Sequence, residues 1–331
     1  MHDILLEPSI VKTIYGSEHI SVNSWLNYAY ALLMVAGADG EVSEGERNWL
    51  ERDFARIVEA PDGFRKKIRE FDWQNANLEE VLAKVQEDFP MNYIRALVYD
   101  SIKMSMADDD FDEDEKNTAR KIAEILKVPI YIARTIEGLV NTEKSVGDIR
   151  KSIFEVDEEA FKKHPNRTFG NILFTHTFGH HMNDDLHLHY GYALMSIAGA
   201  DGEVSKKEIE WYKTEFAPSA KVPRIIVDKV IHFNYKIADL KYIFSKIDLD
   251  ISISFSKTLL YHAIKMARAD SIYAEEEREM VEKASKLMGI PYDIAQTIQY
   301  LVDTEERIEK MRKTLFSGVD DEKPEEEEEE S

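Results

Sequence analysis

The chain contains no cysteine. That removes disulfides, thiolate metal sites and cysteine nucleophiles, while leaving the redox compartment open. Positive charge is also scarce: 42 lysines and arginines face 64 acids, a formal net charge of −22 over 331 residues. Such a surface repels phosphate backbones and anionic lipid heads, which argues against nucleic acid and membrane surfaces and in favour of cations and basic protein partners. No apolar run reaches the length of a membrane span, so no membrane insertion is expected. The first residues, MHDILLEPSIVK, carry acids and lack the basic-then-apolar order of a secretory leader. A soluble, cytoplasmic protein is therefore expected. Strand pairs and Asn-Gly hairpins are missing. So are the GxSxG elbow, the phosphate-binding glycine loop, HExxH and GxGxxG, and a non-enzymatic role is expected.

What is present is apolar material for real cores, 44% hydrophobic and 10% aromatic, enough to rule out disorder throughout. It is arranged twice. AGADGEVS occurs at 36–43 and again at 198–205. The same offset of 162 pairs Tyr30 with Tyr192, Trp49 with Trp211, Phe54 with Phe216, Lys103 with Lys265 and Pro129 with Pro291, without a gap. The chain thus reads as a tandem duplication of a domain of about 150 residues, an ordinary size for one core. Copy one is placed at 1–154, a polar linker at 155–168, copy two at 169–316, and an acidic tail at 317–331 that its run of like charges should keep disordered. Inside each copy the apolar period is helical, as at Ala119, Ile122, Ala123 and Leu126. Ser43 with Glu46 and Asn77 with Glu80 have the spacing of capping boxes, and Pro129 and Pro291 suit first helical turns. The expected fold is all-α, two tandem homologous helical domains of about six to eight helices each at ordinary helix lengths.

A weaker symmetry lies within each copy. ADGEVSEGE (38–46) resembles ADDDFDEDE (107–115), and ADGEVSKKE (200–208) resembles ADSIYAEEE (269–277). The shared pattern is Ala-Asp with Glu seven residues after the Asp, giving four helix–turn–helix corners. Each overlaps only the second half of a calcium-binding EF-hand loop. The earlier ligand positions hold Val35 and Gly37, and Ile197 and Gly199. One corner supplies two or three carboxylates where calcium takes six to eight oxygens, so an ion would need two corners to converge. The alternative is structural: Asp39 turns the chain by accepting a backbone N–H two residues on, Ser43 caps the next helix and Glu46 closes the box. An aspartate at the negative end of a helix calls for compensation by a cation or by donors in the turn. The fourth corner has lost the serine and the glycine yet keeps Asp270 and Glu277, which favours a role beyond capping.

The segments ALLMVAGADGEVSEGERNWLERDF and SIKMSMADDDFDEDEKNTARKIAEILKV resemble the two signature segments of TerB-like domains, a family named for a tellurite-resistance protein. The resemblance extends over most of 25–145 and 187–307. It implies an all-α fold with quasi-twofold helix pairs, metal chelation by corner acids, and a place in stress-response complexes. The family's acids fall on Asp39, Glu46, Asp108 and Glu115, then Asp201, Glu208, Asp270 and Glu277; Asp112 joins them as a candidate ligand from the acid-rich second corner. The departures are Asp109 where the pattern has glycine, and SIYA in the fourth corner. A donor set made only of oxygens favours calcium, magnesium or manganese as the divalent metal ion.

His176, His180, His181, His187 and His189 form a second candidate, since imidazoles can hold zinc, copper or nickel. His187 and His189 are two apart and face different sides of a helix. Trp49, Trp211 and the tyrosines at 28, 30, 190 and 192 are expected in the cores. The leading expectation is a divalent-cation-binding scaffold or sensor. The alternatives are a metal-independent acidic adaptor for protein partners and, last, a carboxylate metalloenzyme.

Overall fold

The computed structural model describes residues 20–55, 58, 60–106, 113–155, 173, 183–247, 253–270 and 273–316, without the side chains of 53, 113–115 and 253–254. Every regular element among them is helical, as the periodicity predicts. The first half holds α1 (Val22–Ala36), α2 (Glu44–Asn48, prolonged by a π-helical turn over Trp49–Phe54), α3 (Phe64–Glu70), α4 (Leu78–Asp88), α5 (Met91–Ser105), α6 (Glu113–Ile125) and α7 (Ile130–Phe154). The second half follows the same order: α8 (Asp184–Ala198), α9 (Lys206–Trp211, prolonged through Tyr212–Phe216 and Ala217–Ser219), α10 (Arg224–Ile231), α11 (Leu240–Lys246), α12 (Ile253–Ala267), α13 (Glu275–Leu287) and α14 (Tyr292–Phe316). The starts of α1, α5, α6 and α7 recur 162 residues on, at the offset of the sequence repeat.

The chain divides into two compact units, 1–143 with 308–331, and 144–307. Most of the 155–168 joint and all of the 317–331 tail lie outside the described residues.

In the first unit α1 is the hub, packing on α3, α4, α5 and α6. Its sequence explains this. Ser21 caps the start by accepting the Ser24 N–H at 3.1 Å. The following run, WLNYAYALLMVA, is apolar on nearly every side, so the helix is buried on nearly every side. Tyr28 is fully buried, stacks on Phe54 at 5.3 Å, and donates its hydroxyl to Asp100 at 2.7 Å. In the second unit α8 plays the same part against α10, α11, α12 and α13. There Tyr190 stacks on Phe216 at 5.2 Å, and its hydroxyl lies 2.8 Å from His262 Nδ1. Tyr30 stacks on Phe71 and Tyr192 on Phe233, each at 3.9 Å. Of the aromatic residues expected in the cores, Tyr28 and Tyr190 are fully buried, whereas Tyr30, Tyr192, Trp49 and Trp211 are half-buried and pack on other rings at the core's edge.

Each unit also buries an ion network on the long helix that closes its sequence repeat. In the first, Glu143 accepts the Tyr99 hydroxyl at 2.7 Å and Arg312 Nε at 2.8 Å, with Lys103 Nζ at 3.3 Å. Burial pushes the Glu143 carboxyl up, but Lys103 and Arg312 outweigh it and hold the group below its ordinary value. In the second, Glu305 takes Tyr261 at 2.7 Å, Arg150 at 2.8 Å and Lys265 at 3.2 Å.

Candidate functional site

The twin octapeptide builds the same corner twice. After α1 the chain makes a 3₁₀ turn over Gly37–Asp39, and Gly40 follows with φ 103°. The counterpart is Gly199–Asp201, with Gly202 at φ 106°. Side chains other than glycine rarely adopt that backbone. A Cβ on Gly37 would strike the ring of Trp73, and one on Gly199 the ring of Tyr235. Asp39 Oδ1 accepts the Glu41 N–H at 2.9 Å, and Asp201 Oδ1 the Glu203 N–H at 3.0 Å. These turn donors are the compensation that an aspartate at a helix C-terminus needs. Ser43 Oγ accepts from Glu46 N at 3.2 Å while Glu46 Oε2 accepts from Ser43 N at 2.8 Å. Ser205 and Glu208 repeat this box at 3.2 and 2.6 Å. Every capping and turn role expected of the two segments is present.

In the first unit α6 packs against the 37–39 turn, and in the second α13 packs against the 199–201 turn. In the second unit the quasi-repeat thus brings Glu277 at the start of α13 up to the first corner. Asp108 and Asp112 lie outside the described residues, as does the side chain of Glu115. The first unit therefore offers only Asp39 and the buried Glu46, 2% exposed.

The second unit shows its four acids. Glu208 and Glu277, 2% and 3% exposed, lie close enough that each acts on the ionisation of the other. Asp270 acts electrostatically on Glu208, and Asp201 on Glu277, a reciprocal cross between the corners. Burial, and then these like charges, push Glu208 up to about 7 and Glu277 up to about 8, against the pull of the Ser205 and Ala274 donors. Two carboxylates in contact away from water cannot both ionise, so the pair keeps one proton near neutral pH.

One expectation is corrected. The loss of serine at Ala274 does not release Glu277 from capping: Glu277 Oε2 still accepts the Ala274 N–H at 2.8 Å. That half of a capping box needs only the backbone of the cap residue, so the serine could go while the glutamate kept its role. The direct Glu208–Glu277 contact went unread in the sequence, although the Glu recurring seven residues after each Asp was the signal for it.

Among the described residues, no three His, Asp or Glu side chains are grouped so as to hold a metal ion as they stand. His187, 5% exposed, lies with Nε2 3.1 Å from the Ala220 carbonyl, and burial lowers its pKa. His189 Nδ1 lies 2.8 Å from the Asp185 carbonyl. The two point to different places, as their spacing predicts, while His176, His180 and His181 lie outside the described residues. No described helix is long and apolar enough to cross a membrane.

Compared with known proteins, residues 26–131 match the family described as tellurite resistance protein TerB, so one TerB domain is found, spanning α1 to the start of α7. No curated protein and no solved structure matches the chain.

Proposed function

We propose that this protein is a non-catalytic, TerB-type helical scaffold or sensor that takes up a divalent cation where paired corners bring their carboxylates together. We extend the TerB assignment to the second repeat, on its equal helix order and its identical octapeptide. The observation that carries the reading is the buried Glu208–Glu277 pair with Asp201 and Asp270 beside it. A proton held between two buried carboxylates marks a place where a cation is wanted. The donor set fits a hard ion, because it consists of oxygens alone. Glu208 and Glu277 would each offer the oxygen not engaged by Ser205 or Ala274, and those two N–H groups keep the carboxyls aimed. Asp201 or Asp270 would have to turn inward to complete a set. Asp39, Glu46, Asp108, Asp112 and Glu115 are the corresponding acids of the first unit. Calcium, magnesium and manganese are favoured, and the acidic surface suits a basic partner in a stress-response complex.

The test is calorimetric titration of these three ions into wild type and into Asp201→Asn/Asp270→Asn. Asparagine keeps the turn-forming carbonyl oxygen and loses the charge. Wild type should take up ion saturably and release close to one proton per ion near neutral pH, with affinity falling at least tenfold in the variant (about 1.4 kcal/mol). Absence of saturable uptake at millimolar ion would leave the acids as caps, which is the adaptor reading.

A further inference from the structure

A pocket of about 380 Å³ lies in the first unit between α5, α6 and α7. Its floor is apolar: Val98 and Ile102 from α5, Ala119 from α6 and Ala133 from α7, none more than 8% exposed. Its walls carry three cations, Lys116, Arg120 and Arg134, against one carboxylate, Glu137, which stands 3.7 Å from Arg120. In a chain of net charge −22, a local excess of cations over an apolar floor runs against the composition. Lys116 and Arg120 are four residues apart and share a face of α6, while Ile130 and Arg134 do the same on α7. Ile130 is 61% exposed at this wall, an apolar side chain left in water.

The second repeat supplies an internal comparison. At the offset of 162, Ala119 becomes Val281, a larger side chain that is fully buried. Ile130 becomes Tyr292, Arg120 becomes Glu282 and Arg134 becomes Gln296. Lys116 becomes Arg278, which lies over the ring of Tyr273 at 5.1 Å. The fold therefore does not demand Arg120, Arg134 or a small residue at 119, and these belong to the first repeat alone.

We infer that this pocket binds a small amphipathic organic carboxylate, with its hydrocarbon body on Val98, Ile102, Ala119 and Ala133 and its carboxylate toward Arg120 and Arg134. Guanidinium groups meet carboxylates in a paired, planar geometry, which favours this head group. At about 30 Å³ for each water-sized atom, the volume holds roughly a dozen non-hydrogen atoms. The reading is independent of metal binding at the corners.

Octanoate is the test ligand, with octanol and acetate as controls that each lack one half of the chemistry. Titration into the full chain, followed by methyl and guanidinium NMR shifts, should saturate with octanoate and require at least tenfold more of either control. Ala119→Val, which installs the second repeat's residue, and Arg120→Gln/Arg134→Gln should each weaken octanoate at least tenfold while helical circular dichroism stays unchanged. The inference is overturned if octanoate does not saturate, if octanol binds as well, or if the variants bind like wild type. Uptake that appears only after removal of 320–331 would assign the pocket to the chain's own glutamates and would overturn it too.

Discussion

Replacing Glu277 by glutamine should flatten the pH dependence of stability in the second unit. Glu208 and Glu277 are held up to about 7 and about 8, against 4.5 for the free groups. The folded pair therefore keeps a proton that the unfolded chain gives up. A raised carboxyl pKa contributes stability that is complete below the unfolded value and is lost as pH climbs through the folded one. Between about pH 5.5 and about 7.5, each retained proton costs on the order of 1 kcal/mol per pH unit, so the loss over that range is a few kcal/mol. Surrounding water screens part of this, so roughly 1–2 kcal/mol is expected, or ~3–6 °C in melting temperature for a unit of this size. Glutamine keeps the oxygen that accepts the Ala274 N–H and offers an amide N–H toward Glu208 in place of a carboxyl proton. The variant should lose that decline and be the more stable protein at pH 7.5. Calorimetric melts in chelator across the range give the difference in slope between the two proteins. The depressed His187, whose stabilisation grows as pH rises, cancels in that difference. Parallel slopes for wild type and Glu277→Gln would refute a shared buried proton.

Two further outcomes follow from the corners and the cores. Ala274 sits at φ −64°, ψ 155°, close to Ser205 at −64°, 160°, so Ala274→Ser should complete the capping box and raise stability by about 1 kcal/mol in urea unfolding. Glu143→Ala should cost ~3–5 kcal/mol in the same assay, because Lys103, Arg312 and Tyr99 would lose their common buried partner; Lys66→Ala at the exposed Lys66–Glu70 pair, the control, should cost under ~0.5 kcal/mol.

The sequence was most readable where the physics is local. Helical period, the Ser43–Glu46 box and the Asp39 turn depend on residues within a turn of one another, and all three are seen. The offset of 162 was equally plain, because it needs only comparison of the chain with itself. Contacts between distant residues were not readable. Arg312 reaches Glu143 across 169 positions, and Trp73 closes over Gly37 from a different helix junction. Nothing in the pattern of either partner names the other. The fourth corner lies between these cases. Glu277 advertised itself by its spacing from Asp270, but its partner could be named only once α13 was seen against the 199–201 turn.

That junction also joins the capping and metal readings, which looked like alternatives. A capping glutamate uses one carboxyl oxygen on the backbone and leaves the other to whatever faces it. When two such glutamates are capped toward each other and buried, the two free oxygens meet, and the repulsion must be relieved by a proton or by a cation. On the proposed function, the cap is what aims the site, and the proton is a rival of the ion. Affinity for a divalent ion should therefore rise from pH 6 to pH 8, by up to tenfold per pH unit for one displaced proton. Glu277→Gln removes the competition together with one charge, so whatever binding it retains should lose its pH dependence. Calcium or manganese titrations of both proteins across that range distinguish the cases. If wild type binds but its affinity does not change with pH, the ion sits elsewhere, and the acid pair is only a buried hydrogen bond between two capped helices.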